Sequence, residues 1–265
     1  MQNLDLNHIK VAFIDTKENL QEIVEDLQIK KIKIVLLDNF TDLMDKADTI
    51  ILPTIFRDTA LIEKYSDKIY MGPEYIPVSE PYIGLRNELK IIKSYPKHIM
   101  VTMGGSDPNQ LTKRIISILD TLSEDIVCDI IIGPAFVNKS DIYKIKKTNL
   151  VIHEGLTNLS SIMLQAYLGI TAVGTTIYEF AAIGTPMAVI GNYKSDLPDL
   201  QHLSSRGIAV NLGYHQDVSN EEIKSNIQTL LNDDKLWTKM RDNCHKIIDG
   251  KGLSRICKIL ADLIQ

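Results

Sequence analysis

The segment from Val173 to Pro186 reads VGTTIYEFAAIGTP and joins a β-branched run to an amphipathic stretch. Residues 170–173 predict a buried strand and residues 176–183 predict a helix, which together make a strand–turn–helix unit. Two threonine hydroxyls stand at the start of this helix, where unpaired backbone N–H groups can hold an anion without a metal. The segment therefore predicts an α/β fold in which a helix start that can hold a diphosphate follows a strand.

Glu179 follows Thr176 by three residues, and this spacing fits two interpretations. In the first, the two side chains form a capping box that closes the start of the helix. In the second, the carboxylate accepts hydrogen bonds from two hydroxyls of a ribose. The spacing alone leaves both interpretations open.

Short β-branched runs alternate with amphipathic stretches along the chain, which predicts parallel strands separated by helices. Residues 71–81 contain three prolines and predict a linker. We therefore expect two Rossmann-like domains, residues 1–95 with the hinge and residues 96–265 with terminal helices that cross back. The runs that predict strands are 11–14, 32–37 and 49–52 before the prolines, and 98–102, 127–132, 150–152, 170–173, 187–190 and 208–210 after them.

Composition excludes several classes of function. The chain has 265 residues and a formal net charge of −5, so it has no basic field that would gather nucleic acid. Its three cysteines are scattered, and no motif has the spacing of metal ligands, so we expect no disulfides, no metal and no cofactor. We expect neither a signal peptide nor a transmembrane segment, because every apolar run is far shorter than the ~20 residues that span a bilayer. These features predict a cytoplasmic protein.

A second loop, MGGSDPN, follows the predicted strand 98–102 and precedes a helix. Gly104 and Gly105 allow close approach of the backbone to a ligand. Ser106 and Asp107 can either cap the next helix or contact the ligand. Asp107 would repel a phosphate unless it turns into the cap or faces a sugar hydroxyl.

Two more candidate ligand contacts lie near the ends of predicted strands. His153 follows the strand 150–152 and is expected at the same rim as the glycine loop, although a structural histidine is the commoner outcome. Gln201 lies in the polar segment 195–202, which contains a proline and is expected at the mouth of the cleft. Its amide can bond a sugar hydroxyl; the alternative is an exposed loop and helix start.

Several motifs occur together in the second half of the chain. They are GGSDP after a strand, G-T-T-x-x-E-x-x-x-x-G-x-P at 174–186, Gln201 before a helix, DGKGLSR at 249–255, and GPEY at 72–75 followed by Tyr82 and Arg86. This combination resembles the UDP-sugar hydrolase family of pseudaminic-acid biosynthesis. Wider relatives of that family are the lipid-linked N-acetylglucosaminyltransferases of peptidoglycan synthesis and spore-coat polysaccharide proteins.

The resemblance implies a GT-B-like fold, in which the C-terminal Rossmann-like domain holds most of the nucleotide. It implies that Gly174, Thr175 and Thr176 meet the diphosphate of a UDP-sugar. It places Glu179 at the ribose and Ile177 near the base, and it lines the cleft with residues 104–107.

The chain also departs from the family in three places. The family opens with a glycine-rich G-x-G-H-x-x-R loop whose histidine helps to activate water or acceptor, and this chain has no such loop, which implies a shortened N-terminal domain. Where the family places an aspartate and then a tyrosine, Asp15 is followed by Thr16 and Lys17. Leu200 stands where the family has an asparagine. Asp15, Asp38 and Asp107 are catalytic candidates by position alone.

Three hypotheses about function follow. In the first hypothesis the chain is an active enzyme. The leading alternative is a UDP-sugar hydrolase in nonulosonic-acid or surface-polysaccharide synthesis, and the second is a glycosyltransferase. Alternatively it is part of a split enzyme, in which a partner chain, or a second copy in a homodimer, pairs with the open edge left by the missing strand. The third hypothesis is a module that binds a nucleotide sugar without chemistry.

Overall fold

The computed structural model describes residues 8–88, 96–122, 125–137, 139–145 and 149–264. The chain divides into two compact units, the first unit (residues 1–78 and 249–265) and the second unit (residues 79–248). The domain boundary expected after residue 95 falls in the stretch 89–95, which lies outside the described residues. The last helix groups with the first unit, and the domain limits given in the sequence analysis stay a prediction.

The first unit is built on a parallel sheet with the strand order β1-β2-β3-β4. Ile34 and Leu36 pack on one face of this sheet with the first helix, and Val35 packs on the other face with the last helix. Both faces are covered, so the inner strands are continuous apolar runs. The elements are β1 (Val11–Asp15), α1 (Gln21–Ile29), β2 (Lys33–Leu37), β3 (Thr49–Leu52), α2 (Thr59–Lys64), β4 (Ile69–Met71) and α11 (Gly252–Ile264).

The start of α11 is fixed by the DGKGLSR motif. Arg255 donates two hydrogen bonds to the carboxylate of Asp249, at 2.9 and 2.7 Å, and a third to the carbonyl oxygen of Glu74. Gly252 lies against the backbone of Ile76, so close that a side chain would not fit. The motif therefore has a structural role that involves only residues of the first unit.

The second unit is built on a six-stranded parallel sheet with the order β10-β9-β8-β5-β6-β7. Its elements are α3 (Glu80–Ile83), β5 (Lys97–Thr102), α4 (Leu111–Leu119), β6 (Ile126–Ile132), α5 (Lys139–Tyr143), β7 (Leu150–Glu154), α6 (Ser160–Gln165), β8 (Leu168–Ala172), α7 (Thr176–Ile183), β9 (Met187–Gly191), α8 (Leu197–Ser205), β10 (Val210–Tyr214), α9 (Asn220–Asn232) and α10 (Asp234–Ile247). The predicted α/β class with parallel sheets is confirmed.

The last two helices of the second unit begin, and α10 also ends, at side chains that bind the unpaired backbone groups. Ser219 and Glu222 form a capping box at the start of α9, and Asp233 caps α10. At the other end of α10, the guanidinium of Arg86 donates to the carbonyl oxygens of His245 and Ile248. A cation at this end also suits the negative end of the helix dipole. The sequence analysis placed Arg86 in a hinge motif. In the structure its side chain binds carbonyl oxygens at the end of α10.

Candidate functional site

The strand order of the second unit places two loops side by side. From β5 the chain moves outward through β6 to β7, whereas β8, β9 and β10 follow in the opposite direction. The point between β5 and β8 is therefore a topological switch point, where open parallel sheets leave a crevice at the carboxyl ends of the strands. The loop after β5 contains Gly104 and Gly105, and the loop after β8 contains Gly174. The two loops that the sequence analysis selected therefore lie side by side, at the carboxyl ends of adjacent strands.

The start of α7 is open. Thr175 is its N-cap residue, and no side chain among the described residues caps the helix. Gly174 and Thr175 are exposed and Thr176 is half-buried, so both hydroxyls can reach solvent. Ile177 is buried (3% exposed), so its side chain belongs to the core. A helix start of this kind presents backbone N–H groups and a positive dipole end to a ligand.

Glu179 takes no part in a cap. Because Thr175 is the N-cap, Glu179 is the fourth residue of the helix and lies beyond the capping-box position. Its carboxylate is half-buried, and helix α3, which carries Tyr82, packs against α7. Burial raises the pKa of Glu179 above its usual value, and the hydroxyl of Tyr82 opposes that rise. The capping-box interpretation is thus not realised.

The glycine loop is held from behind by the end of β6. Gly104 has a φ of +76°, a value that suits glycine. Gly133 packs directly against the backbone of Gly104 and Gly105, and the N–H of Ala135 donates to the carbonyl oxygen of Gly105 at 2.8 Å. The outer side of the loop is exposed at Gly104, Gly105 and Ser106. The loop therefore has a fixed inner side and an accessible outer side.

Asp107 is a buried helix cap. Its two carboxylate oxygens accept the backbone N–H groups of Leu111 and Thr112 at 2.7 and 3.0 Å. The residue has a φ of +45°, a region that aspartate and asparagine tolerate better than most side chains. Both carboxylate oxygens are used in the cap. This arrangement argues against Asp107 as the catalytic base, a role suggested only by its place in the sequence.

Replacement of Asp107 by alanine is expected to lower the free energy of unfolding by about 1–2 kcal/mol, since the cap is lost. The free energy of unfolding of Asp107→Asn should lie between those of the alanine variant and the wild type, because its amide oxygen keeps one of the two bonds. Urea unfolding followed by the fluorescence of Trp237, the single tryptophan, measures both. An alanine variant as stable as the wild type would contradict the capping role.

The loop after β9 is tied to the glycine loop. The side-chain amide of Asn109 donates to the carbonyl oxygen and the side-chain oxygen of Asn192, at 3.2 and 3.0 Å. Asp196 in turn accepts the N–H groups of Asn192 and Tyr193. Sequence reasoning missed this link, because an asparagine in a polar loop gives no sign of its partner.

Gln201 lies on a helix and not in a loop. The segment 195–202 forms a short 3₁₀ turn and then α8, with Pro198 in its first turn. Gln201 is exposed on the second turn, and Leu200 is buried. A contact between Gln201 and a ligand remains a prediction.

His153 is paired with an acid. Its Nε2 lies 2.8 Å from one carboxylate oxygen of Asp129, and Nδ1 of His98 lies 2.8 Å from the other. His153 is on β7, which β5 and β6 separate from β8. Three strand spacings of about 4.8 Å place it roughly 14 Å from the strand that leads to Gly174. The structure therefore does not bring His153 to the switch point, because its strand is at the edge of the sheet.

Asp15 and Asp38 belong to the first unit. Asp15 ends β1 and is exposed, and Asp38 follows β2 with a φ of +50°. Lys17 pairs with the Asp38 carboxylate at 3.2 Å. The neighbouring Asn39 is fully buried and donates to the backbone of Thr16, so it joins the loops after β1 and β2.

Comparison with known proteins assigns a family. A family described as "Protein of unknown function (DUF354)" matches residues 82–248. The chain belongs to this family. The matched residues lie within the second unit and include Tyr82, both loops of the switch point and Glu179.

A curated relative and two solved structures extend the comparison. This DUF354 chain is 25% identical over 202 residues to the spore coat polysaccharide biosynthesis protein SpsG of Bacillus subtilis (strain 168). The alignment covers 75% of this chain and 59% of SpsG, so the chain spans little more than half of that relative. The glycosyltransferase of kitacinnamycin has a TM-score of 0.70 at 14% identity, over 97% of this chain and 76% of its own. The MnaA–UDP structure from S. aureus has a TM-score of 0.67 at 14% identity, over 96% and 76%.

These likenesses establish the fold. This DUF354 chain has the α/β fold of GT-B proteins, with two Rossmann-like domains and parallel sheets. None of the described helices combines the length and the apolar character that a membrane crossing requires. Within the described ranges, no group of three His, Cys, Asp or Glu side chains is arranged to hold a metal ion.

Proposed function

We propose that the chain binds a nucleoside-diphosphate sugar, and specifically a UDP-sugar, at the switch point of the second unit. The observation that carries this proposal is the position of Glu179, which lies one turn inside an uncapped helix start and takes no part in a cap. The backbone of Gly174 and the hydroxyls of Thr175 and Thr176 would bind the diphosphate. The Glu179 carboxylate would accept hydrogen bonds from the ribose hydroxyls. Gly104, Gly105 and Ser106 would line the same crevice.

The chemistry that suits this arrangement is transfer of the sugar. The bond between the anomeric carbon and the phosphate oxygen breaks, UDP leaves with the electron pair, and an acceptor oxygen bonds to the carbon while its proton passes to a base. The start of α7 would stabilise the negative charge that develops on UDP. Similarity to SpsG and to the kitacinnamycin glycosyltransferase supports a glycosyltransferase of surface-polysaccharide synthesis. We propose a cytoplasmic location, since nucleotide sugars are the ligands and all three cysteines are free.

Hydrolysis is the second candidate, with water as the acceptor, as in the UDP-sugar hydrolase of pseudaminic-acid biosynthesis. The combination of the GTT and Glu179 motif with GGSDP favours it. The DGKGLSR motif favours neither reaction, because the packing of α11 explains it. A catalytic base from a partner chain or a second copy fits either reaction, since β1 is an edge strand of the first sheet.

Glu179→Ala is expected to weaken UDP binding about 10- to 100-fold, the loss expected for hydrogen bonds to a charged group. Isothermal titration calorimetry measures the affinity of the variant and the wild type. Glu154→Ala is a matched control, because it removes another glutamate carboxylate of the second unit, at the end of the distant strand β7. The control should bind UDP as the wild type does. Unchanged affinity in Glu179→Ala would remove the ribose assignment.

UDP release from a panel of UDP-sugars distinguishes the reactions. Release without acceptor supports hydrolysis, and release only with an acceptor supports transfer. Binding without release under either condition would show a binding module. The full chain should be used with and without a candidate partner protein.

A further inference from the structure

We propose that the side-chain amide of Asn192 binds the second phosphate of the nucleotide, the phosphate that carries the sugar. This inference rests on the proposed function and adds a residue that lies outside the sequence motifs. Asn192 is the first residue after β9, at the carboxyl end of the strand that pairs with β8. It is 9% exposed, so packing fixes its position before a ligand arrives.

Asn192 lies next to the residue that opens the proposed diphosphate site. Strands β8 and β9 are parallel, and their register runs up to the pair Ala172 and Ile190. Two residues further along the two chains are Gly174 and Asn192, which continue this register with a strand spacing of about 4.8 Å. Gly174 is exposed, and a methyl group built on it would meet nothing within 4 Å. A ligand that occupies the open space at Gly174 therefore also reaches Asn192.

The contacts of Asn109 define the orientation of the Asn192 amide. Nδ2 of Asn109 lies 3.2 Å from the main-chain oxygen of Asn192 and 3.0 Å from its side-chain Oδ1. A main-chain oxygen can only accept, so the Asn109 group that faces it must be the NH2 group. This NH2 group also needs an acceptor at its second contact, so the Asn192 atom there must be the amide oxygen. The NH2 group of Asn192 is therefore the end of the amide that Asn109 does not use.

The NH2 group of Asn192 donates to no protein acceptor among the residues that the structure describes. Oγ1 of Thr112 is the one buried side-chain atom without a partner in those ranges, so Nδ2 of Asn192 reaches solvent. A buried polar group that finds no partner costs about 1–3 kcal/mol. Asn192 thus presents two N–H donors at the carboxyl ends of the strands, where water or a ligand accepts them.

Helices α7 and α4 lie on opposite faces of the sheet, and this arrangement decides which phosphate Asn192 meets. The chain leaves β5 towards β6 but leaves β8 in the opposite direction, so right-handed crossovers place the two helices on opposite faces. Glu179 is on α7, whereas Asn192 is bonded to Asn109, two residues before α4. A nucleotide whose ribose meets Glu179 therefore crosses the strand ends at Gly174. Its first phosphate lies there, and its second phosphate reaches Asn192.

The loop that carries Asn192 is held on both sides. Asp196 accepts the backbone N–H groups of Asn192 and Tyr193 at 2.9 and 3.0 Å. Strand β8 separates β5 from β9, so the contact between Asn109 and Asn192 spans the end of β8. Asn109 is thus a positioning residue, because its bond to the amide oxygen keeps the NH2 group of Asn192 from turning away.

Two N–H donors at the second phosphate suit the departure of the nucleotide. Phosphate oxygens are strong acceptors, and the NH2 group of an asparagine offers two donors. When the bond from the anomeric carbon to the phosphate oxygen breaks, that oxygen keeps the electron pair, and negative charge grows on the second phosphate. A donor that is already in place stabilises this charge without reorganisation. Asn192 would assist transfer and hydrolysis alike.

Asn192→Asp tests the phosphate contact, because it exchanges the NH2 group for an oxygen of similar size and keeps the oxygen that Asn109 contacts. We expect the preference for UDP over UMP to fall at least about 10-fold, the loss of a bond to a charged group, since UMP lacks the second phosphate. Isothermal titration calorimetry at constant ionic strength measures both affinities. Asn243→Asp is the matched control, because that NH2 group bonds the carbonyl oxygen of Gly207, before the amino end of β10. The control should keep the preference of the wild type.

Asn109→Ala tests the positioning role. The preference for UDP over UMP should fall about 3-fold, because the Asn192 amide can then turn but is still present. Added to Asn192→Ala, the same change should leave the preference unaltered, since no amide remains to be positioned. An equal further loss in both backgrounds would overturn the positioning role.

The outcomes separate this inference from the proposed function. Wild-type protein that binds neither UDP nor UMP would overturn the proposed function itself. If Glu179→Ala loses UDP binding while Asn192→Asp keeps the preference of the control, only the phosphate contact fails. A loss in Asn192→Asp that is equal for UDP and UMP would also overturn the contact with the second phosphate.

A spectroscopic measurement tests the contact in the wild-type chain. With ¹⁵N-labelled asparagine, the side-chain amide resonances of Asn192 are identified by their absence in Asn192→Asp. They should shift when UDP is added and shift much less with UMP. Resonances that respond equally to both nucleotides, or to neither, would overturn the contact even where the variants are too unstable for calorimetry.

Discussion

Gly133→Ala is expected to displace the glycine loop and to destabilise the second unit by at least about 3 kcal/mol, at the upper end of overpacking costs. A methyl group at this position would meet the carbonyl oxygen of Gly104, the carbonyl oxygen of Gly105 at 2.5 Å and its carbonyl carbon at 2.7 Å. These are backbone atoms, so no side chain can rotate away. The N–H of Ala135 also holds Gly105 at its carbonyl oxygen, so the loop can move only if that bond breaks.

The measurement for Gly133→Ala is urea unfolding followed by Trp237 fluorescence, which reports on the second unit. With typical urea slopes, the midpoint should fall by about 1 M or more. UDP affinity should fall as well, because the loop lines the proposed site. Gly105→Ala is the matched control, since a methyl group there would meet nothing within 4 Å. If Gly133→Ala had the same urea midpoint as Gly105→Ala, the glycine loop would accommodate the added methyl group at little cost.

Local pattern was enough to predict most elements of the fold. The runs 98–102, 127–132 and 187–190 became β5, β6 and β9, because a parallel strand covered on both faces must be apolar throughout. The strand order could not be predicted in the same way, since the pairing of β5 with β8 depends on contacts between distant residues. Yet that pairing creates the switch point.

The segment 195–202 shows where local reasoning fails. Pro198 suggested a loop, because proline removes a backbone donor. In the structure Pro198 lies in the first turn of α8, where the N–H would have no partner in any case. The proline is compatible with a loop and with the first turn of a helix. The packing of Leu200 and Leu203 into the core favours the helix.

The two loops of the candidate site could be placed at strand ends from the sequence, but the surroundings of their side chains could not. The spacing of Thr176 and Glu179 could not show that the helix is capped one residue earlier, at Thr175, which takes Glu179 out of the box position. The packing of α3 against α7 could not be found either, because it joins residues far apart in the chain. A local motif places a loop at the end of a strand, whereas the orientation of its side chains depends on tertiary neighbours.

Gly252→Ala is expected to destabilise the first unit, although helix propensity predicts the opposite. Gly252 is the first residue of α11, and an alanine in a helix is favoured over glycine by about 1 kcal/mol. The methyl group, however, would meet the carbonyl oxygen of Ile76, its carbonyl carbon at 2.5 Å and its nitrogen at 3.0 Å. Ile76 is itself buried, so relief requires movement of α11 away from the sheet. We expect a net loss of at least about 2 kcal/mol.

Hydrogen exchange locates this loss, because Trp237 lies in the other unit and its fluorescence does not report on α11 directly. In Gly252→Ala the amides of α11 and of β2 should exchange faster, since α11 covers one face of that strand through Val35 and Ile256. Ser254→Ala on the same helix is exposed and changes propensity without a clash, so its exchange should match the wild type or be slower. If Gly252→Ala behaves like Ser254→Ala, propensity outweighs the contact with Ile76. If only Gly252→Ala loosens the first unit, close backbone approach is the reason that the DGKGLSR motif has a glycine there.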